Sequence, residues 1–574
     1  MNRNDLINNL KALHDGEVNR CIINPHARYR VGLVYPNTYF VGMSNLGIHI
    51  VYQEINERED SVCERIFMPD KKEWESYEKT KTYLMSVETQ RTMDNFDVIA
   101  IDVTFEMDYF HIPKMLKQGR VPVMAAERTE FDPIVLAGGP CVTFNPEPFA
   151  DFIDACIIGE GEGIVSKALD VIYQGKEAGL TRDKILFNLA QLDGVYVPSF
   201  FTPTFDQERF LGYDVADGVP KTIRRYYQPV VREGETVVVT DFTEFGAMYI
   251  VEVARGCGRH CRFCMAGYCY RTPRVRDLDT LKAGVDRAAA LGKKVGLMGA
   301  AISDYPYIDD LVNYIRSKNV RYSCASLRAD SLTQDVVDGL ADSGQKTITI
   351  APETGSARLR DVINKGITEE DLRKGALLAA KSGVHHLRFY IMIGLPTETD
   401  EDIQAIVDLA VRTRNYMEEV GSKGRLTLSI NPFMPKPFTP FQWMAMDKQK
   451  SVEKKLQFIK KSLQKDRRIE VLVESPKEAY IQGVLARGDR RLGAVIRACA
   501  EDRGAKSFKA ELKKVGLDMD AFNYRERGMD EPLPWDMLDM GLRDSYLQEE
   551  WIHATQGDYT APCMDGCKKC GVCQ

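Results

Sequence analysis

The sequence lacks the long apolar runs that membrane proteins carry. No stretch approaches the ~20 uncharged apolar residues that a membrane-spanning helix needs. The first residues, MNRNDLINNL, are polar and contain no apolar signal core. No segment repeats with a fixed period, which argues against a solenoid. We therefore expect a protein of the cytoplasm that has no membrane partner.

The composition is that of an ordinary globular protein. Hydrophobic residues make up 44% and charged residues 28% of the 574 positions, which excludes a disordered or fibrous chain. At roughly 150 residues per domain, this length allows about three or four domains.

The net charge of −7 is unevenly distributed. Residues 446–515 contain 19 Lys and Arg against 10 Asp and Glu, whereas the rest of the chain is acidic. A basic region of this kind can bind a polyanion, and RNA is one such partner. The alternative is a solvated lysine-rich helix, because KKLQFIKKSLQK places Leu456, Ile459 and Leu463 on one helical face.

The N-terminal segment, residues 1–166, alternates strands with helices. RVGLVYP, FDVIAIDVTF, VPVMAAE and DPIVLAGGP have the pattern of buried strands. This alternation predicts a doubly wound, Rossmann-like α/β domain whose ligand crevice lies at the carboxyl ends of the strands. The candidate cofactor-binding residues at those ends are Gly138, Gly139, Pro140, Gly159 and Gly161.

Three further segments follow. Residues 167–243 form a bridging segment with β connections. Residues 244–444 contain six β/α units, which predicts a partial (β/α)6 barrel with its chemistry at the carboxyl ends of the strands. Residues 445–574 are predicted to form a basic helical extension that ends in a cysteine-rich tail.

The fourteen cysteines are clustered rather than scattered, which suggests metal or iron–sulfur sites before disulfides. Cys257, Cys261 and Cys264 directly follow the first barrel strand, YIVEVARG. Three thiolates on one tight loop can bind three irons of a 4Fe-4S cluster and leave the fourth iron open to a ligand. His260 is an alternative fourth ligand, although it lies between two of the cysteines.

The pattern Cys-x3-Cys-x2-Cys, with Phe263 before its last cysteine, resembles the signature of the radical S-adenosylmethionine (SAM) superfamily. The resemblance implies that the open iron chelates SAM and that an electron from the cluster cleaves SAM to a 5′-deoxyadenosyl radical. It also implies a reducing partner such as flavodoxin or ferredoxin.

The same resemblance assigns SAM-binding residues along the barrel. Gly299 and Ala300 match the glycine-rich motif that binds the methionine amino group, although its usual acidic residue is absent. Ser326 and Arg328 match positions that contact the ribose or carboxylate, and Glu353 matches a polar position near the ribose. The structural alternatives are an interior ion pair for Arg328 and a helix cap for Glu353.

GLPTET, residues 394–399, resembles the turn after the fifth barrel strand of the superfamily. In this turn, Thr399 or Asp400 can cap the following helix.

The segment IVLAGGPCVTFNPEPFADFIDACIIGEGE resembles the cobalamin-binding domain that precedes the barrel in a subgroup of radical SAM proteins. This resemblance implies cobalamin at the glycine-rich strand ends. The Asp-x-His-x-x-Gly motif that supplies a histidine to cobalt is missing, so cobalamin would bind without a histidine ligand. The alternative is the fold without the cofactor. Over nearly its full length, the chain resembles one uncharacterised family of this subgroup.

The tail contains four cysteines at ligand spacing, which indicates a second iron–sulfur cluster or a zinc site. They are Cys563, Cys567, Cys570 and Cys573. Cys269 stands alone and is either a reactive thiol or a packed core residue.

Three functions remain open. The first is cobalamin-dependent methylation of an unactivated carbon. The second is methylthiotransferase-like modification of RNA or protein, with the tail cluster as auxiliary and with Arg487, Arg490 and Arg491 holding phosphates. The third is a non-catalytic iron–sulfur redox or iron sensor.

Overall fold

A computed structural model describes residues 1–207, 209–229, 233–564 and 566–573. Its strands are β1 Val18–Asn19, β2 Tyr29–Tyr35, β3 Ser61–Phe67, β4 Val98–Asp102, β5 Ile134–Gly138, β6 Ala155–Ile157, β7 Val195–Tyr196, β8 Phe201–Asp206, β9 Arg209–Val215, β10 Ile223–Arg224, β11 Val238–Val239, β12 Met248–Glu252, β13 Ala254–Arg255, β14 Arg274–Val275, β15 Lys294–Met298, β16 Tyr322–Cys324, β17 Thr347–Glu353, β18 His386–Ile393, β19 Leu426–Pro432, β20 Ile469–Val473 and β21 Leu538–Asp539.

The α-helices are α1 Arg3–Asp15, α2 Tyr39–Gly42, α3 Leu46–Asn56, α4 Lys71–Thr80, α5 His111–Gln118, α6 Pro140–Phe144, α7 Ile164–Glu177, α8 Arg182–Leu189, α9 Ala266–Cys269, α10 Leu278–Ala290, α11 Ile308–Ser317, α12 Gln334–Asp342, α13 Ala357–Val362, α14 Glu369–Lys381, α15 Asp400–Glu419, α16 Gln449–Leu463, α17 Pro476–Arg487, α18 Leu492–Glu501, α19 Phe508–Lys514, α20 Met519–Asn523 and α21 Tyr546–Gln556. Among the described residues, no helix is long and apolar enough to cross a membrane.

The chain divides into two compact units, and each contains more than one stretch of sequence. The N-terminal unit comprises residues 1–247, 484–522 and 530–541. The barrel unit comprises residues 248–483, 523–529 and 542–574. The predicted bridging segment, 167–243, thus lies within the N-terminal unit, and the predicted extension, 445–574, is shared between the two units.

The N-terminal unit is built on a six-stranded sheet with the order β3-β2-β4-β5-β6-β7. Neighbouring strands are parallel, except that β7 is antiparallel to β6. The sheet reverses its strand order between β2 and β4, which is the position where doubly wound sheets open a ligand crevice. The predicted Rossmann-like fold is therefore confirmed.

Two sequence predictions for this sheet were incomplete. VPVMAAE forms no strand but contains a short 3-10 helix, Ala125–Glu127. The edge strand β3, SVCERIF, escaped prediction because it carries Glu64 and Arg65. Arg65 is fully buried and pairs with Glu17 at 2.7 Å and with Glu88 at 2.7 Å. Partners from distant parts of the chain therefore make a charged strand compatible with the core.

The barrel unit carries seven parallel strands in two hydrogen-bonded groups, β12-β15-β16 and β17-β18-β19-β20. An isolated parallel bridge between Leu327 and Ile350 connects the two groups. Helices α10, α11, α12, α14, α15 and α16 separate consecutive strands, as in a β/α barrel. The six predicted β/α units are present, and β20 adds one more strand from the segment that was predicted to be wholly helical.

The basic helix α16 buries Val452, Leu456, Ile459 and Leu463, as the periodicity predicts. Its lysines at 454, 460 and 461 are exposed. The strand β20 after it was missed because charged residues flank its short apolar run on both sides.

Candidate active site

The cysteine loop, residues 256–265, follows the first barrel strand and its short extension β13. Gly256 has φ +80°, and a Cβ there would lie 2.1 Å from the carbonyl oxygen of Tyr270. A Cβ at Gly267 would lie 2.6 Å from the carbonyl oxygen of Arg259. Glycine at both positions therefore lets the returning chain pass directly behind the loop.

Arg262 holds the loop from within. It is fully buried and donates to the carbonyl oxygens of Asp361 at 3.0 Å, Val362 at 3.0 Å and Asp558 at 2.7 Å. It also pairs with the carboxylate of Glu550 at 3.1 Å. Its position between Cys261 and Phe263 therefore fixes the middle of the cysteine loop to two other segments of the unit.

The three loop cysteines lie in a largely buried environment. Cys261 is buried, whereas Cys257 and Cys264 are partly exposed. Burial, and then the neighbouring thiolates of Cys261 and Cys257, raise the pKa of Cys264 to about 12. Burial also raises the pKa of Cys257, with a further rise from Cys261. Thiols crowded in this way ionise readily only with a cation present, so the donor set fits an iron–sulfur cluster.

The ring of His260, the alternative fourth ligand, is held by other side chains. It is buried, and its ring nitrogens contact Tyr546 and the guanidinium of Arg271. Burial, and then the positive charge of Arg271, lower the pKa of His260 to about 3. The ring is therefore neutral and committed to these partners.

Arginine and aspartate side chains form a charged layer beside the loop, at the carboxyl ends of the strands. Arg259 pairs with Asp304 through two bonds of 2.8 Å and with Asp330 at 3.2 Å. Arg328 pairs with the same Asp330 at 2.9 Å. Burial alone would raise the pKa of Asp304, but its bonds to Arg259 outweigh that effect and leave the pKa lowered. Asp304 therefore stays ionised.

A second ion pair joins this layer from the fourth strand. Lys365 donates to Glu353 at 2.8 Å, and the carbonyl oxygen of Lys365 accepts from Arg328 at 2.9 Å. Glu353 is buried and has φ +65°. The alternative that Glu353 caps the next helix is wrong, because Ser356 is the N-cap of α13. The structural alternative for Arg328, an interior ion pair, is met only in part, because Arg328 is buried but its partner Asp330 is exposed.

The remaining predicted SAM-binding residues lie at the same end of the barrel. Gly299 and Ala300 directly follow β15, and Ala300 is exposed. Ser326 is exposed two residues after β16. In the GLPTET turn, Thr399 is the N-cap of α15 and forms a capping box with Asp402. Cys269 is buried in the short helix α9.

The carboxyl ends of the strands in the N-terminal unit place two of the predicted glycines, Gly138 and Gly139, beside Asp102. Gly138, at the end of β5, has open space where a Cβ would stand. At Gly139, φ is +103° and a Cβ would lie 2.5 Å from the Asp102 carboxylate. The Oδ2 atom of Asp102 is buried and has no hydrogen-bond partner among the residues described. Burial raises the pKa of Asp102 to about 7.

At the other candidate residues on these strand ends, the chain itself fills the neighbouring space. At Gly159, with φ +106°, a Cβ would lie 2.2 Å from the carbonyl oxygen of Tyr226. Gly161 faces the methyl groups of Val51 and Val165. Pro140 is the first residue of α6. The open place at these strand ends is therefore beside Gly138 and Asp102, and the buried polar group at that place is a carboxyl rather than a histidine.

The arginines proposed to hold phosphates serve internal contacts. Arg487 is fully buried. Arg490 pairs with Glu147 at 2.7 Å and donates to the hydroxyl of Tyr196. Arg491 pairs with Asp489 at 2.8 Å.

The tail cysteines lie in the barrel unit, next to the first cysteine loop. The amide of Cys563 donates to the carbonyl oxygen of Gly258 at 2.8 Å. Cys570 is buried, and Cys573 is exposed. Within the described residues, no three His, Cys, Asp or Glu side chains stand close enough together to hold a metal ion.

Several site residues escaped the sequence reasoning. Arg259 lies inside the cysteine motif, where its charge was the only signal. Asp304 and Lys365 follow the second and fourth barrel strands, and neither belongs to a recognisable motif. Arg271 and Tyr546 meet at His260 from positions 275 residues apart, which no local pattern reveals.

Comparisons with known proteins agree with this geometry. The family model for the N-terminal region of radical SAM proteins matches residues 47–198, and the radical SAM superfamily model matches residues 251–410. An uncharacterized protein of Methanocaldococcus jannaschii is 34% identical over 504 residues, which cover 85% of this chain and 97% of that protein. An uncharacterized methyltransferase of Pyrococcus horikoshii is 25% identical over 370 residues, which cover 57% of this chain and 72% of that protein.

Among solved structures, the chain is similar to the radical SAM methyltransferase TsrM from Kitasatospora setae with cobalamin and a 4Fe-4S cluster bound. The TM-score is 0.47 at 16% identity, over 70% of this chain and 72% of TsrM. The near full-length relative and the two family matches, together with the three-cysteine loop at the first barrel strand, establish the family. The chain belongs to the radical S-adenosylmethionine superfamily, whose members are enzymes that use a 4Fe-4S cluster and SAM.

Proposed function

We propose that this radical SAM enzyme methylates an unactivated carbon atom and holds cobalamin at the carboxyl ends of the strands in its N-terminal unit. The observation that carries the radical part is the three-cysteine loop after the first barrel strand, beside the layer of arginine–aspartate ion pairs. Membership of an enzyme superfamily favours this function over a non-catalytic sensor.

Cys257, Cys261 and Cys264 would hold the cluster. When bound, the cluster and SAM supply a 5′-deoxyadenosyl radical that removes a hydrogen atom from the substrate carbon. The barrel's own residues orient SAM: its methionine end is a zwitterion, and Arg259, Arg328 and Asp304 offer charges of both signs beside the loop. A one-electron donor protein such as flavodoxin or ferredoxin would supply the electron.

Two features support cobalamin in the N-terminal unit. Gly138 leaves open space at the carboxyl edge of the sheet, and the buried Oδ2 of Asp102 lacks a partner among the described residues. Since buried polar atoms normally form hydrogen bonds, a ligand at this edge would satisfy Asp102. Cobalamin, when bound, supplies the methyl group. The name of the Pyrococcus horikoshii relative, a methyltransferase, points to the same reaction class.

A second candidate is methylthiotransferase-like modification of RNA. The position of the tail cysteines against the first cysteine loop favours it, because such a reaction draws sulfur from a second centre near the radical. The exposed lysines of α16, at 454, 460 and 461, would provide the phosphate contacts, since Arg487, Arg490 and Arg491 are engaged inside the chain.

The test is anaerobic purification from cells supplied with cobalamin, followed by reduction in the presence of methyl-labelled SAM. We expect a corrinoid spectrum, 5′-deoxyadenosine, and S-adenosylhomocysteine from methyl donation. Cys261→Ala should abolish 5′-deoxyadenosine and leave the corrinoid in place. Asp102→Leu should do the reverse, since it removes the buried carboxyl and changes none of the cluster-binding cysteines.

Wild-type protein that produces 5′-deoxyadenosine but never retains corrinoid would contradict cobalamin-dependent methylation. Sulfide-dependent labelling of RNA by that same protein would support the second candidate instead. The cysteine variant and the aspartate variant are purified in the same way. A variant that fails to fold is recognised because it loses both 5′-deoxyadenosine formation and bound corrinoid.

A further inference from the structure

The tail cysteines are built onto the loop of the first cluster. The amide of Cys563 donates a hydrogen bond to the carbonyl oxygen of Gly258 at 2.8 Å. A Cβ at Gly258 would lie 3.3 Å from the Cβ of Cys563, so the two segments are in van der Waals contact. Farther along, the amide of Arg543 donates to the carbonyl oxygen of Cys570 at 2.9 Å, and Cys570 is only 2% exposed. The tail therefore folds back as an ordered segment rather than a free end.

Arg271 lies between the two cysteine groups. Its side chain is fully buried and donates to the thiol of Cys563 at 3.0 Å and toward that of Cys570 at 3.9 Å. It also donates to the carbonyl oxygen of Arg259, inside the first cysteine loop, at 3.0 Å. His260 brings its Nε2 atom to 3.9 Å from the thiol of Cys563. Burying the guanidinium of Arg271 costs desolvation free energy, and negatively charged sulfur atoms next to it would offset that cost.

We propose that Cys563, Cys567, Cys570 and Cys573 bind a second iron–sulfur cluster seated directly against the loop of the first, with Arg271 donating hydrogen bonds to its sulfurs. The proposal does not depend on which group the enzyme transfers. It requires only that both cysteine groups load in one chain.

The spacing favours an iron–sulfur cluster over zinc. Cys567, Cys570 and Cys573 form Cys-x2-Cys-x2-Cys, the run that holds a cubane in bacterial ferredoxins, and Cys563 completes four ligands. Structural zinc sites more often join two separated pairs. Hydrogen bonds to cluster sulfurs also set the reduction potential of iron–sulfur centres, which gives the buried guanidinium a role.

The separation of the tail thiols does not argue against the site. Within the described part of the chain, neither group stands at metal-binding separation, and this includes Cys257, Cys261 and Cys264, whose role follows from the superfamily. Both groups must therefore close around their iron when they load. The contact between Cys563 and Gly258 already places the two loops side by side.

The first test counts iron and sulfide in the full chain after anaerobic reconstitution with ferrous iron and sulfide. At about four irons per cubane, wild type should hold about eight irons. Cys261→Ala and the double variant Cys567→Ala/Cys570→Ala should each hold about half the wild-type iron. A tail variant that keeps the wild-type iron content overturns the proposal. So does one zinc per chain that is present in purified wild type and absent from the tail variant.

The second test measures proximity. In the fully reduced wild type, electron paramagnetic resonance should show spin coupling between the two clusters, absent from both single-cluster variants. A wild-type spectrum equal to the sum of the two variant spectra would disprove the side-by-side placement. Failure of the methylation proposal would leave both the iron count and this spectrum unchanged.

The third test addresses Arg271 as a positioning residue, in the Cys261→Ala background where only the tail cluster loads. Arg271→Met should shift the reduction potential of that cluster downward, because a positive charge and two hydrogen bonds to sulfur are lost. Arg271→Lys keeps the charge and should restore part of the shift. Equal potentials in all three proteins would show that Arg271 does not contact the cluster.

Discussion

Replacing Arg262 by methionine should destabilise the barrel unit far more than replacing any exposed arginine of the same region. The guanidinium is fully buried, pairs with Glu550 at 3.1 Å and satisfies the carbonyl oxygens of Asp361, Val362 and Asp558. Methionine fills a similar volume but leaves the carboxylate of Glu550 buried without its cation. The hydroxyl of Thr560, which donates to Glu550 at 2.8 Å, is then its main remaining partner.

The expected magnitude follows from the burial of both partners. Side-chain exposure is 0% for Arg262 and 4% for Glu550. Removing one member of such a buried pair costs about 3–5 kcal/mol. At about 2–4 °C per kcal/mol for a domain of this size class, the melting temperature of the unit should fall by about 10 °C.

The same helix supplies a matched control. Glu549 is the neighbour of Glu550 on α21 and pairs with Arg543, but these side chains are 42% and 39% exposed. An exposed pair contributes about 0–1 kcal/mol because water screens it. Glu549→Gln should therefore leave the melting temperature nearly unchanged, whereas Glu550→Gln should lower it.

Anaerobic differential scanning calorimetry of the full chain measures these differences. The double variant Arg262→Met/Glu550→Gln should lose less stability than the two single variants together, because no buried charge remains unpaired. Strict additivity, or an effect of Arg262→Met below about 1 kcal/mol, which is the level of an exposed pair, would refute the reasoning that this ion pair holds the cysteine loop.

Three further predictions follow from backbone strain and buried charge. Gly256→Ala should abolish loading of the first cluster, since its Cβ would lie 2.1 Å from a backbone oxygen; Gly292→Ala, with φ +64° and no atom within 4 Å, should retain iron in the same assay. Burial raises the pKa of Asp102 from 3.8 to about 7, so the stability that its protonated form supports is lost as pH rises from about 4 through 7; Asp102→Asn should flatten the melting-temperature profile over that window. Glu353→Gln should destabilise the unit at pH 7 by about 3–5 kcal/mol because it leaves the ammonium of Lys365 buried without a carboxylate. Burial lowers the pKa of Lys365, but the charge of Glu353 outweighs burial and raises the pKa above 10.5, so denaturant unfolding should show a smaller loss only as pH rises beyond that value.

Local spacing was sufficient to predict the chemistry of the first loop. Three cysteines at ligand spacing after a buried strand lie within eight residues of the chain, so the motif is visible without knowledge of the fold. The alternation of strands and helices likewise predicted both α/β folds, because apolar periodicity of two or 3.6 residues is a property of short segments. The face of α16 that carries Leu456 and Ile459 was predicted for the same reason.

Tertiary structure alone decided which charges are internal. The strand β3 carries Arg65, and its partners Glu17 and Glu88 come from other segments, so no local pattern shows that this strand is buried. Arg490 belongs to a basic stretch in the sequence but pairs with Glu147, more than 300 residues away. A run of positive charge therefore does not by itself predict a phosphate-binding surface, because acidic partners that are distant in sequence can neutralise it.

The meeting of the two cysteine groups is likewise a tertiary fact. Cys563 lies some 300 residues beyond Gly258, and nothing in the spacing of either group indicates contact. Sequence determined which residues can bind metal, because ligand identity and spacing are local. The fold decided that Arg271 lies between the two groups, because a long-range contact depends on the packing of every element between them.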